Sequence, residues 1–180
     1  WVLSSDASFI VLSSDTWSCP SCYMVLSSDV LSCRHLWYIV ELQMKNLRSA
    51  LFHESFHVQQ GFTYADSPFT ALDATIYEGS AIKFERDYGK NNAIYGDYSA
   101  YSEEQLRHWF DEIREVGNEY FENEETWRKW AFYHPEYDEK WIVYTVGSFI
   151  LDTVLTTSGL DVIDLRDKSS SEILDMIRLN

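Results

Sequence analysis

Cationic residues are scarce: 14 Lys and Arg stand against 29 Asp and Glu, a formal net charge of -15. That excess would repel nucleic-acid phosphate and anionic lipid, so neither is expected as a partner. Most of the acid reads as solvated surface. Three cysteines are too few for a disulfide scaffold and leave the redox compartment open. Long apolar runs are also missing. The longest, Trp141 to Leu151, is far short of the ~20 residues that cross a bilayer and is followed by Asp152. No basic-then-apolar leader stands after Trp1, and a soluble protein is expected.

What the chain has is aromatic and aliphatic bulk. Hydrophobic residues make up 46% and aromatics 16% of 180 residues, enough for one domain with an aromatic-rich core. Residues 1–45 read as a β-rich part and 46–180 as a helical part. VLSSD occurs at Val2, Val11 and Val25, at intervals too irregular for a solenoid. Apolar runs between these Ser-Ser-Asp turns, Phe9 to Leu12 and Tyr23 to Leu26, predict short strands, with a further strand at Tyr38 to Leu42. Cys19 and Cys22 form a CPSC pair that Cys33 and His35 could extend to four zinc donors. The spacing fits no familiar zinc ribbon, so unpaired thiols are expected.

Asn46 is the expected cap of a helix from Leu47 to Gly61. Ser67 and Pro68 open a second, centred on TALDATIYEGSAIKFERDYG. Ser102 with Gln105 caps a third, through about Val116, and the charged, aromatic segment Asn118 to Phe132 reads as a further amphipathic helix. The most hydrophobic helix is expected over Glu139 to Thr157, stopped by Ser158 and Gly159. Ser169 with Glu172 caps a terminal one. The fold class is α+β, mostly α, with a small N-terminal sheet ahead of the helices.

The chemistry concentrates in HESFH. On a helix His53 and His57, four apart, direct two imidazoles at one point, and Glu54 beside them can take a proton from a metal-activated water. The pattern predicts zinc-dependent hydrolysis. A catalytic zinc usually has three protein ligands, and Glu78, 21 residues after His57 on a separate predicted helix, is the candidate for the third. Gly79 after it suits close approach by another helix or by the metal site. Gln60 and Thr63 occupy the places where a metzincin needs Gly and His. Asp73 and Asp152 are candidates to orient a ligand histidine.

HESFH, then YEGSAIKFE, then WIVYTVGSFIL resemble the gluzincin metallopeptidases, nearest to a little-characterised branch of predicted bacterial zinc proteases. The likeness covers about Leu47 to Ile177. In that branch the last segment reads W-x-G-Y-x-x-G-Y. Here Val143 and Ser148 replace its first glycine and last tyrosine. The resemblance implies a zincin-like fold, zinc on His53, His57 and Glu78, Glu54 as general base, and a peptide or protein substrate. It also implies Tyr144 as the oxyanion donor, with Tyr133 and His134 as alternatives. The other reading is a zinc-binding interaction module with little turnover.

Overall fold

The computed structural model describes residues 30–60, 69–90 and 95–178. The expected strands at Phe9 to Leu12 and Tyr23 to Leu26, the VLSSD copies and the CPSC pair lie outside them, as do the side chains of Cys33 and His35. Contacts divide the chain into Trp1–Met44 and Lys45–Asn180. Of the first unit the described part is helical. Helix α1 runs Val30–Gln60, so the expected strand at Tyr38 to Leu42 is helix. Ile39 and Val40 favour strands locally, but no Gly or Pro interrupts the 31 residues of α1, and Glu41, Leu42, Gln43, Met44 and Lys45 are good helix formers. For the same reason Asn46 is internal to the helix and caps nothing.

In the second unit α2 spans Ala71–Gly89, α3 Glu103–Val116, α4 Glu119–Glu122, α5 Glu124–Ala131, α6 Ile142–Ser158 and α7 Ser170–Arg178. A 3-10 turn, Val162–Leu165, precedes α7. The start of α2 is set by Thr70, whose hydroxyl accepts from Asp73 N–H while the Asp73 carboxylate accepts from Thr70 N–H, a reciprocal capping box. Ser102 caps α3 by accepting from Gln105 N–H, and Ser169 likewise accepts from Glu172 N–H at α7. Both caps stand where the sequence placed them. Asn118 to Phe132 is split, because Asn123 leaves the helical region and its side chain caps α5.

The described sheet is one antiparallel ribbon, β1 Tyr133–His134 with β2 Glu139–Lys140, pairing Tyr133 with Lys140 and His134 with Glu139. The expected helix from Glu139 therefore starts later, at Ile142. Asp138 and Trp141 both take positive φ, 54° and 56°, which no helix can run through. Gly159, at φ 70°, ends α6 as expected, its N–H donating to Leu155 O.

Helices α2 and α6 form the centre. Val143, Val146, Leu151 and Val154 of α6 are fully buried, and Ile82 of α2 and Trp109 and Ile113 of α3 join the same core. The two axes approach at paired glycines. A Cβ on Gly79 would lie 2.4 Å from the carbonyl carbon of Gly147, and one on Gly147 would lie 2.2 Å from the Thr75 oxygen. That crossing fixes α2 one residue from Glu78. No described helix is long and apolar enough to cross a membrane.

Candidate metal centre

The last turns of α1 are oriented by Phe56, which is fully buried and stacks on Phe84 of α2 at 4.9 Å between ring centroids. With that residue turned inward, His53 and His57 face α2 as well, three places before Phe56 and one after. Both are buried, and their rings meet edge to face at 4.7 Å. His57 is sandwiched further: its ring lies flat on Tyr77 at 3.9 Å. Its Nδ1 lies 3.2 Å from Gln60 Oε1, which can accept an Nδ1–H.

Tyr77 is followed by Glu78, so the residue that packs His57 also delivers the carboxylate. Glu78 Oε2 lies 3.0 Å from His53 Nε2 and 3.4 Å from His57 Nε2, and the two Nε2 atoms are 3.1 Å apart. Zinc bonds of 2.0–2.1 Å place neighbouring donors of a tetrahedron about 3.3 Å apart, so this near-equilateral triangle has the dimensions of one tetrahedral face. The group could hold a metal ion. Burial disfavours charge on Glu78, but the bonds from His53 and His57 outweigh it and hold the carboxyl down at about 2. Burial likewise opposes a charged His53, and the carboxylates of Glu78 and Glu85 overcome it, raising His53 to about 9.

A ring of phenols surrounds the triangle. Burial, then the charges of Glu78 and Glu54, push Tyr77 up to about 12. Tyr95 and Tyr144 are pushed up by burial first and then by nearby carboxylates that include Glu54. Tyr95 meets His53 perpendicularly at 5.7 Å and Tyr144 at 5.4 Å. Its loop is pinned by Gly96, whose carbonyl accepts from Arg86 at 2.6 Å and whose φ of 82° suits glycine. The Tyr95 and Tyr144 hydroxyls have no hydrogen-bond partner among the described residues.

The structure therefore brings together His53, His57 and Glu78, and Tyr144 reaches them by way of Tyr95. Tyr133 lines a cleft with Tyr95 and Trp141, its hydroxyl donating to Asp138, and His134 is enclosed by Trp130 and Tyr137. The orienting roles expected of Asp73 and Asp152 fail on geometry. Asp73 is spent in the cap of α2, and Asp152 pairs with Lys83 at 2.8 Å and accepts from the Tyr98 hydroxyl. The carboxylate that does face a histidine is Glu85, with Oε2 3.7 Å from His53 Nδ1. Its signal was its position seven residues, or two helical turns, after Glu78. Tyr95 had no signal beyond being one of several tyrosines in a polar loop.

No curated protein and no solved structure matches the chain. The sequence profile of a family described as Predicted Zn-dependent protease (DUF2268) matches residues 34–175, a span that contains HESFH, Glu78, Glu85 and Tyr144. With most of its length matched, and with a His-His-Glu triangle of metal-binding dimensions, both histidines buried and the glutamate half-buried, within the match, the chain belongs to that family.

Proposed function

We propose that the protein is a zinc-dependent peptidase of gluzincin type, its residues 46–180 forming the catalytic part of a zincin-like domain. The observation that carries this reading is the triangle of His53 Nε2, His57 Nε2 and Glu78 Oε2, with sides of 3.0 to 3.4 Å. Three ligands leave a tetrahedral position for water or substrate, as hydrolytic sites require. Zinc, when bound, supplies a Lewis acid that polarises a carbonyl and lowers the pKa of water to about 7.

The rest falls to the chain. Glu54, exposed and adjacent to His53, accepts the proton from the attacking water and returns it to the leaving amine. Tyr144 donates its unpartnered hydroxyl to the oxygen on which charge develops. Tyr77 keeps His57 in plane and shields it from bulk water. A cleft of about 350 Å³ is lined by Tyr95, Tyr133 and Trp141, and Tyr95 in turn packs against His53.

Protein purified without chelator is expected to carry one equivalent of zinc, and to cleave an unfolded protein substrate in a way that a chelator abolishes and added zinc restores. Failure to take up zinc would remove the reading. Zinc uptake without chelator-sensitive cleavage would replace it with a binding module. For Tyr144→Phe, kcat is expected to fall by about 10²-fold with KM little changed, since only the transition state is served by the hydroxyl. Its melting temperature is expected to match the wild type, because that hydroxyl bonds no described residue.

A further inference from the structure

Glu85 is fully buried on α2, and a carboxylate so enclosed is destabilising unless it is compensated. One of its oxygens, Oε1, accepts from the Ser49 hydroxyl on α1. The other, Oε2, has no hydrogen-bond partner among the described residues, and neither does the buried Nδ1 of His53. These two orphaned atoms face each other at 3.7 Å. Among the described residues His53 is the one basic side chain within ion-pair reach of Glu85. The opposite nitrogen of the same ring, Nε2, is the corner of the triangle shared with His57 and Glu78.

We propose that Glu85, held by Ser49, is the positioning residue of His53: it accepts the Nδ1–H and so fixes the ring with its Nε2 lone pair directed at the metal. The inference rests on the metal reading above and assigns a residue to its support. Three physical points favour it. A histidine that offers Nε2 to a cation must carry its proton on Nδ1, and a buried N–H needs an acceptor. A small rotation of the imidazole shortens 3.7 Å to hydrogen-bond length. And a negative acceptor raises the electron density of the ligand nitrogen, which tightens its hold on a cation. Ser49 sits four residues before His53, on the same face of α1, so helix α1 itself sets the carboxylate relative to the ring.

The test is the zinc dissociation constant at neutral pH, measured by competition with a chromogenic chelator, for wild type, Glu85→Gln and Glu85→Asp. Glu85→Gln keeps the volume and removes the charge. Its affinity is expected to fall about 10–100-fold, the range for such supporting carboxylates, with partial recovery in Glu85→Asp. Nuclear magnetic resonance of the zinc-loaded wild type supplies a second measurement that needs no variant to fold: a slowly exchanging Nδ1–H of His53, shifted downfield by its acceptor.

A wild type that binds zinc, with Glu85→Gln binding equally well, overturns the positioning role and leaves the metal site standing. A variant that melts earlier yet keeps its affinity when folded marks Glu85 as structural, and also overturns it. A wild type that binds no zinc removes the metal reading and this inference together. Absence of the Nδ1–H resonance in the loaded wild type overturns the orientation assigned to the ring.

Discussion

Glu54→Gln is expected to lower kcat for peptide cleavage by about 10²–10⁴-fold while leaving one zinc per chain and the melting temperature unchanged. The substitution keeps shape and hydrogen-bonding capacity and removes only the ability to take a proton. Glu54 is solvent-exposed and outside the triangle, so nothing that folds the protein or holds the metal depends on its charge. Exposed substitutions of this kind usually stay within about 0.5 kcal/mol in stability. Its charge is among those that raise the phenols of Tyr77, Tyr95 and Tyr144, after burial and other groups. The measurement is kcat and KM on a fluorogenic peptide beside zinc content. Equal turnover in variant and wild type would mean that the water loses its proton elsewhere. A parallel loss in zinc would mean that the carboxylate serves the metal and not the proton.

The role proposed for Glu54 rests on spacing alone. His53 and His57 need only a helix to share a face, and HESFH sits inside one whatever its ends. Glu78 was legible for a related reason, since the adjacent Gly79 signalled a close approach that the structure places at Gly147. The caps at Ser102 and Ser169, and the stop at Gly159, are likewise local, each decided by side-chain and backbone atoms within four residues.

What escaped depends on partners distant in sequence. Tyr38 to Leu42 has strand-like composition, and only the continuity of α1 makes it helix. Glu139 and Lys140 form the ribbon because Tyr133 and His134 lie opposite, not from any preference of their own. The orienting carboxylate was sought at Asp73 and Asp152. Asp73 was already committed to Thr70 by a local cap, whereas Asp152 is committed to Lys83 and Tyr98, pairings no local pattern announces. Glu85 differs from other acidic positions only in being enclosed, which is a property of the packed helices.

The packing of those helices bears the largest stability effect. Gly79→Ala is expected to destabilise the fold by more than about 3 kcal/mol, read as a lowered urea midpoint, and to weaken zinc binding with it. The new Cβ would meet the carbonyl carbon, oxygen and Cα of Gly147 at 2.4, 2.6 and 2.7 Å, all backbone atoms that no rotamer change can move aside. Relief requires the α2 and α6 axes to part by about an ångström, which loosens every apolar contact along the central pair. Alanine's helix propensity returns only about 1 kcal/mol. Gly147→Ala, whose Cβ would lie 2.2 Å from Thr75 O, is expected to be at least as severe. Gly159→Ala is the control: its Cβ meets nothing within 4 Å, so only the strain of φ 70° remains, about 1 kcal/mol. Against a total stability of roughly 5–15 kcal/mol, the first two remove about a fifth to three-fifths of it and the third far less. Because Glu78 precedes Gly79, any separation of α2 from α6 also carries the carboxylate away from the two imidazoles. A Gly79→Ala protein with a wild-type midpoint would show that the helices do not cross there, and the placement of Glu78 would then need another support.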